Sequence, residues 1–451
     1  MIINYLKILF CIIILLLVYG LGRKLCNKDI LSPSNLNALA FIPSLALLLF
    51  YVVKWEVNLD STTVLLITLG PLIFLAISIL FKSYKSKKFV NNGHNKIENI
   101  HQINVLVMTF VEIIALLLLF KYMVSFVGSF TNISALMLSY RYKSDYITKA
   151  DLPTITSLFR MVSVYSGYIW AYLLSLNIID KSSKNTRLYI TNYIISLLVS
   201  LTSGARGTAI MLIISFIVQF LLLFSQKRKT IVGRKETNKK YKNSIAFIFV
   251  LVIIIGTQFD RFANLLGRDT SDFTGLYYLA IYLSAPIKNL DIFIRNGSLG
   301  FAKNFWDNHT LSILTEYIGT KYFHISTPGF IYSFNTVNGY NLGNVSTAYA
   351  NFYYDLGLTS YIIAIVFMAI LSNIIYKKSI QPFSNYHSGI NVYVIAYSIM
   401  AFGILFNFFA NEFYNSIINI DFIRGIISII LVKFFLEKVR FGNKRRVYNE
   451  R

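Results

Sequence analysis

LYITNYIISLLVSLTSGARGTAIMLIISFIVQFLLLFS, from Leu188 to Ser225, is almost wholly apolar and carries one charged turn, Ser203-Gly204-Ala205-Arg206-Gly207. At roughly 20 residues per membrane crossing, the stretch is long enough for two short spans folded back at that turn. Arg206 then stands at a membrane face. A guanidinium held among small residues, whose backbone can approach a ligand closely, suits a phosphate or diphosphate on a membrane-bound substrate. The competing reading is a tight turn whose arginine snorkels to lipid headgroups.

The same character extends along the whole chain. Of its 451 residues 55% are hydrophobic and only 14% charged, which excludes an ordinary soluble domain and implies an integral membrane protein. The apolar run Ile2 to Gly20 has no small-residue cleavage site and is followed by many similar runs, so it reads as a first span. Cys11 falls inside that run and Cys26 beside a basic loop, which argues against a disulfide between them. The net charge of +23 would suggest nucleic acid as partner for a soluble protein; here the basic residues lie in short loops between spans, where they set orientation.

Apolar windows predict spans near 4–20, 36–53, 63–81, 103–122, 155–178, 188–203, 208–225, 244–258, 359–376, 389–410 and 420–436, about eleven helices in all. Alternate loops carry the basic clusters: Arg23, Lys24 and Lys28; Lys82, Lys85, Lys87 and Lys88; Lys181, Lys184 and Arg187; Lys227 to Lys242; Lys377 and Lys378; and the tail from Lys438 to Arg451. The positive-inside rule makes these loops cytoplasmic, with the amino terminus outside and the carboxyl terminus inside. Leu276 to Ile294 is apolar enough to tempt a further span. Counting it would turn Lys377, Lys378 and the basic tail outward, and it contains Pro286, Lys288 and Asp291. It therefore reads as a horizontal or re-entrant piece inside a long external loop, 260–357. A second external loop, about 124–153, carries Arg141, Lys143 and Lys149. The whole chain is expected to form one integral membrane domain, all-α and polytopic.

With that topology the arginines outside the cytoplasmic clusters converge on the outer side. Arg206 is at its turn, Arg160 about a helical turn below the outer end of the fifth span, and Arg424 near the outer end of the last. Arg261 and Arg268 open the long loop, and in a helix their spacing of seven puts both on one face. Outward cations without matching carboxylates make an anion site; the alternative is that Arg261 and Arg268 pair with Asp260, Asp269 and Asp272. The long loop ends in Asn344-Val345-Ser346-Thr347-Ala348-Tyr349-Ala350-Asn351-Phe352-Tyr353-Tyr354-Asp355-Leu356-Gly357, directly before a span. Asp355 is thereby expected at the start of that helix, where the dipole stabilises a carboxylate. There it could bind a sugar hydroxyl, act as a general base, or simply cap the helix. Asp291, Glu316 and His324 are the other external titratable groups of interest. Glu112 sits mid-span and needs a partner, Arg160 or Lys121, in a structural or functional pair. Five His and two Cys show no metal-ligand spacing, and no nucleotide or cofactor motif is present, so neither metal nor cofactor is expected.

The Ser-Gly-Ala-Arg-Gly turn at 203–207, the long outer loop and the tract from Asn344 through Tyr353-Tyr354-Asp355-Leu356-Gly357 into a span resemble the oligosaccharide repeat-unit polymerases, the O-antigen polymerase (Wzy) family. The resemblance implies a GT-C-like, metal-independent, inverting glycosyltransferase of the bacterial inner membrane. Its substrates would be undecaprenyl-diphosphate-linked oligosaccharides, and its partners, besides membrane lipid, a Wzz-type chain-length regulator and a flippase. Outer-face arginines are functional in that family and in the related O-antigen ligases. The resemblance carries this role to Arg206, Arg261 and Arg268, and by position to Arg160 and Arg424. Arg206 and Asp355 are the catalytic candidates. Preplaced guanidiniums would stabilise the diphosphate leaving group as its charge grows. A ligase would differ only in its acceptor. A lipid-linked oligosaccharide flippase or other transporter would instead show inverted repeats, broken helices and polar residues near the bilayer midplane.

Overall fold

The computed structural model describes residues 2–25, 29–82, 100–147, 151–180, 182–202, 207–230, 275–297, 302, 304–325, 332–381 and 389–440. Helices dominate: α1 Ile2–Leu25, α2 Pro33–Leu48, α3 Ser61–Lys82, α4 Gln102–Val127, α5 Ile133–Tyr146, α6 Thr154–Asp180, α7 Thr186–Leu201, α8 Gly207–Thr230, α9 Gly275–Leu283, α10 Ala285–Asn296, α11 Ser312–Ile318, α12 Ala348–Leu356, α13 Leu358–Ser379, α14 Val392–Leu405, α15 Glu412–Ile417 and α16 Ile420–Lys438. One small antiparallel hairpin interrupts them, β1 Asn335–Val337 and β2 Tyr340–Gly343. Among the described residues 7 helices are long and apolar enough to cross a membrane: α1, α2 with its 3-10 extension to Tyr51, α3, α4, α6, α8 and α13. The chain is thus a multi-pass, helical membrane protein. α7 and the segment Val392–Phe408 are apolar but shorter, and α16 carries Asp421, Arg424, Lys433, Glu437 and Lys438. Each of these helices coincides with an expected apolar segment. The segment 244–258 lies outside the described residues, as does Cys26; Cys11 is a buried free thiol.

Local chemistry sets the helix ends. Pro33 opens α2 at a position where its missing N–H costs nothing. Gly128, at φ 87, ends α4 in the left-handed conformation. Asn132 caps α5 by accepting from the Ala135 N–H at 2.8 Å.

The chain divides into two compact units, each discontinuous in sequence: Met1–Lys88 with Phe224–Gln381 and Ala396–Ile423, and Phe89–Leu223 with Pro382–Ile395 and Arg424–Arg451. In the first, α1, α2, α3 and α13 pack together. Lys7 Nζ donates to the Leu59 carbonyl at 2.6 Å, and Tyr361 O–H to the Leu66 carbonyl at 2.6 Å, so α1, α3 and α13 start at one end of the unit. Arg23, Lys24, Lys82, Lys377 and Lys378 therefore fall at the opposite end, where Tyr376 donates to Asp29 at 2.7 Å and Ser78 to Asn373 at 3.1 Å.

The segment Leu276 to Ile294 is two helices, α9 and α10, broken at Ser284, with Pro286 in the first turn of the second. At 9 and 12 residues neither reaches across a bilayer. They pack at the non-basic end: Ser284 donates to the Ser44 carbonyl at 2.8 Å, Lys288 to the Glu56 carbonyl at 2.9 Å, and Asn338 in the hairpin to the Lys54 carbonyl at 3.4 Å.

In the second unit α4, α6 and α7 form the core, with α5 laid against α4 through Tyr122, Phe126 and Tyr140. The apolar cluster of Ala115, Leu119, Val164, Ile195 and Val199 fills the space between α4, α6 and α7. Gly167 permits their close approach, since a Cβ there would stand 2.8 Å from Ser196 Cβ and 3.0 Å from Leu212 Cδ2.

Candidate functional site

The tract 344–357 folds as a half-helix buried in the first unit. α12 runs antiparallel to α13, and the chain reverses between them at Gly357, whose φ of 63° and ψ of −139° belong to a region essentially reserved for glycine. Near the start of α12, Tyr349 stacks on Phe41 of α2 with ring centroids 4.8 Å apart and meets Tyr361 edge-on. Its hydroxyl donates to Asn37 Oδ1 at 3.4 Å, and Gly70 of α3 leaves the room, since a Cβ there would lie 2.5 Å from that oxygen. Gly70 is nine residues into α3, about 13 Å along it. The amino end of α12 therefore lies within the bundle, while its carboxyl end is where α13 begins.

Side chains around that amino end carry unpartnered polar atoms. Thr347 takes the cap position in an extended conformation without a capping side-chain bond. Ser346 Oγ, Thr347 Oγ1 and Asn37 Nδ2 are all buried and have no hydrogen-bond partner. With the positive end of the helix dipole beside them, they suit phosphate oxygens or sugar hydroxyls. The approach strand is fixed from α10: Asn289 Nδ2 donates to the carbonyls of Val345 at 2.7 Å and Leu342 at 3.2 Å, and its Oδ1 accepts from Asn335 at 3.0 Å. Serine, threonine and asparagine at these positions are visible in the sequence. That they stand unpartnered in an apolar bundle is not.

Asp355 is placed differently from expectation. It lies in the last turn of α12, not at the start of the following span, so the helix dipole opposes its charge. Its carboxylate instead accepts from the His309 N–H at 2.7 Å, the Thr310 N–H at 3.1 Å and Asn308 Nδ2 at 2.8 Å. Burial raises its pKa above the usual carboxylate range, and these donors oppose the rise. Asp355 is thus a clamp on residues 308–310, completed from the other side by Asn411 Nδ2, which donates to the Thr310 carbonyl at 2.8 Å. The clamp presses the His309 ring flat on Tyr354, centroids 3.7 Å apart, while Tyr354 O–H donates to Asp307 at 3.2 Å. Burial lowers the His309 pKa to about 4, so the imidazole is neutral at pH 7 and a weak base there. No sequence signal distinguished His309 from the other four histidines.

Two further cations join this end of the unit. Asp291, fully buried, accepts from the Asp60 N–H at 2.6 Å and Thr63 Oγ1 at 3.1 Å, and pairs with Arg295 Nε at 3.1 Å. Burial raises the Asp291 pKa and lowers that of Lys288. The apolar pattern of this segment does not mark Arg295; only as a helix does it set Arg295 one turn after Asp291, in an i, i+4 ion pair.

Of the arginines singled out by sequence, Arg206, Arg261 and Arg268 lie outside the described residues. Arg160 and Arg424 belong to the second unit. Arg160, in the second turn of α6, acts electrostatically on the Tyr140 hydroxyl of α5. Arg424 is exposed, in the first turns of α16, and the adjacent Gly425 packs directly against the Tyr165 ring of α6. Both guanidiniums thus sit on helices that meet at Tyr165, within two turns of that contact. Glu316 lies within α11, and His324 ends the helical turn Gly319–Phe323 that follows it. Glu112 pairs with neither Arg160 nor Lys121; Ser166 Oγ and Trp170 Nε1 donate to it instead, each at 2.5 Å.

The arrangement defines an integral membrane protein with a buried half-helix built into one of its units. Comparison of the chain with protein-family models, with curated proteins and with solved structures yields no match.

Proposed function

We propose that this protein is a polymerase joining undecaprenyl-diphosphate-linked oligosaccharide repeat units at the periplasmic face of the bacterial inner membrane. It would be a GT-C-like bundle of about eleven spans. The observation that carries the reading is the 344–357 tract. The residues that resemble the family's motif make a buried half-helix whose amino end carries the unpartnered hydroxyls of Ser346 and Thr347. In this reaction the bond between the donor sugar's anomeric carbon and its diphosphate oxygen breaks. An acceptor hydroxyl forms the new glycosidic bond and gives up its proton, and undecaprenyl diphosphate departs. Arg206, Arg261 and Arg268 would receive the departing diphosphate, with Arg160 and Arg424 contributing positive charge at the same face. Asp355 would position the loop bearing His309 beside the glycan, since three donors from residues 308–310 already engage its carboxylate. A Wzz-type regulator and a flippase would be its partners.

The test is the glycan profile of a strain carrying Arg206→Ala. Abundant, inserted protein with single-repeat products supports the assignment, and normal chain-length ladders refute the diphosphate role. Arg206→Lys should rescue poorly, because an ammonium cannot grip two phosphate oxygens in a fork.

A second reading, a transporter of lipid-linked oligosaccharide, is favoured by two observations: the broken α12–α13 helix pair and the buried Glu112 at the middle of α4. A deletion strain separates the readings. Short capped lipid indicates a polymerase, unmodified core a ligase, and cytoplasmic build-up of intermediates a transporter.

A further inference from the structure

A patch of touching aromatic rings stands on the surface of the first unit, at its non-basic end. Trp306 meets Phe305 edge-on with centroids 5.3 Å apart and Phe323 at 5.1 Å, and both phenylalanines remain 59% exposed. Tyr322, beside Phe323, is 62% exposed and meets Tyr317 at 6.4 Å. Lys321 Nζ lies over both tyrosine rings, 5.2 and 5.5 Å from their centroids, and donates to the Tyr317 hydroxyl at 2.8 Å. The turn that carries Trp306 is fixed, because Asn304 Oδ1 accepts from the Trp306 N–H at 2.9 Å and the Asp307 N–H at 3.1 Å. Single exposed hydrophobic side chains are ordinary. Rings that touch one another and stay exposed mark a surface that meets something other than water.

The depth of this patch follows from α13. That helix has 22 residues and carries Lys377 and Lys378 in its last turn, so at about 1.5 Å per residue it covers roughly the 30 Å of a bilayer's hydrocarbon. Leu358, its first residue, therefore marks the hydrocarbon boundary at the non-basic end. Asp355, just before Leu358, holds residues 308–310 through bonds of 2.7, 3.1 and 2.8 Å, and the Ala302 N–H donates to the Tyr354 carbonyl at 3.3 Å. Trp306 lies between these two ties and so stands at the same level. Apolar exposure continues from there into the span, through Leu356 and Leu358 to Ile363 and Phe367. Tryptophan and tyrosine with a lysine laid over the rings is the composition of a membrane–water boundary, where ring faces meet acyl chains and polar tips stay wet.

We infer that Phe305, Trp306, Tyr322 and Phe323 form a lipid anchor lying in the headgroup–acyl boundary of the leaflet at the non-basic end, with Lys321 reaching the lipid phosphates. Through the Asp355 clamp the anchor holds the reversal between α12 and α13 at the bilayer surface. It needs only that the chain spans a membrane and is independent of the reaction proposed above.

The chain has three tryptophans, and the other two, Trp55 and Trp170, are fully buried. The experiment reconstitutes the full-length protein in vesicles of phosphatidylethanolamine and phosphatidylglycerol that carry a nitroxide either at the headgroup boundary or at the acyl-chain end. Fluorescence of wild type less that of Trp306→Phe reports Trp306. Quenching several-fold stronger by the boundary label than by the chain-end label, with little quenching by iodide present on both sides, is expected. The double variant Phe305→Ser, Phe323→Ser changes two exposed rings and none of the clamp bonds; it should fold and raise iodide quenching several-fold. The inference is overturned if iodide quenches Trp306 and neither lipid label does, the result for a platform that faces water and binds a glycan or a protein. It is equally overturned if the chain-end label quenches Trp306 most, or if the double variant quenches as wild type does.

Discussion

Asp355 and Glu112 are both carboxylates taken out of water, and they are held in opposite ways. Asp355 has both oxygens engaged by the backbone and side chain of residues 308–310, so it fastens a loop. Glu112 takes two donors from a neighbouring helix, Ser166 Oγ and Trp170 Nε1 of α6, on one oxygen, with Ser196 of α7 facing the carboxyl, so it joins helices and not a loop. Burial alone does not say what a carboxylate holds together; the elements that supply its donors do.

The sharpest way to break this contrast is to remove the clamp. Asp355→Ala strands the His309 and Thr310 N–H groups in a buried setting and should destabilise the first unit by about 3–5 kcal/mol. Limited proteolysis would then cut within 304–325, and an unchanged unfolding midpoint would end the clamp assignment. Glu112→Gln, by contrast, keeps a side-chain oxygen to accept from Ser166 and Trp170 and should cost only about 0.5–1.5 kcal/mol.

Next in size is an acid limb from His309. Its folded pKa of about 4 lies below the unfolded value of 6.5, so its neutral form supports stability above pH 6.5, and that support is lost as pH falls toward 4. The displacement is worth on the order of 3 kcal/mol. The raised pKa of Asp355 acts with the opposite sign: its burial favours the protonated form, so its own term improves on acidification. Thermal unfolding across pH 4 to 7 should show the His309 limb, and His309→Gln should flatten it.

Gly357→Ala tests the helix reversal. An alanine at φ 63° and ψ −139° is strained by about 1–3 kcal/mol. The α12–α13 pair should loosen, detectable as faster hydrogen exchange in α12. The smallest stability change belongs to Thr347→Val. Because Thr347 Oγ1 has no partner in the fold, its loss should shift stability by less than about 0.5 kcal/mol. Polysaccharide chain length should nonetheless fall; full-length ladders from this variant would remove the half-helix end from the reaction.

Much of the fold was legible in the sequence because a bilayer demands long apolar runs with satisfied backbones, and those runs survive any tertiary arrangement. Hence the helices at 4–20, 63–81, 103–122 and 359–376 appear where hydropathy put them. Charge parity along the whole chain, with Pro286, Lys288 and Asp291 inside the segment, argues against a span at Leu276 to Ile294, and the segment is two short helices. The candidate site was less legible. Asp355 was assigned to the wrong end of a helix because Gly357, read as part of a continuous approach to the span, is instead a sharp reversal that ends α12. Glu112 was given a charged partner because charge is what sequence displays, whereas the donors that reach it, Ser166 and Trp170, look like ordinary span residues.

The sequence by itself determined that this is a multi-pass helical membrane protein, since apolar length is a property of each segment alone. It also determined that basic residues gather at the same ends of α1, α3 and α13, because charge placement follows the alternation of loops. Only the tertiary structure decided which buried polar groups are satisfied. That depends on donors and acceptors brought together from helices far apart in the chain, as when Asn37 meets Tyr349, Asp355 meets Thr310, and Ser196 faces Glu112.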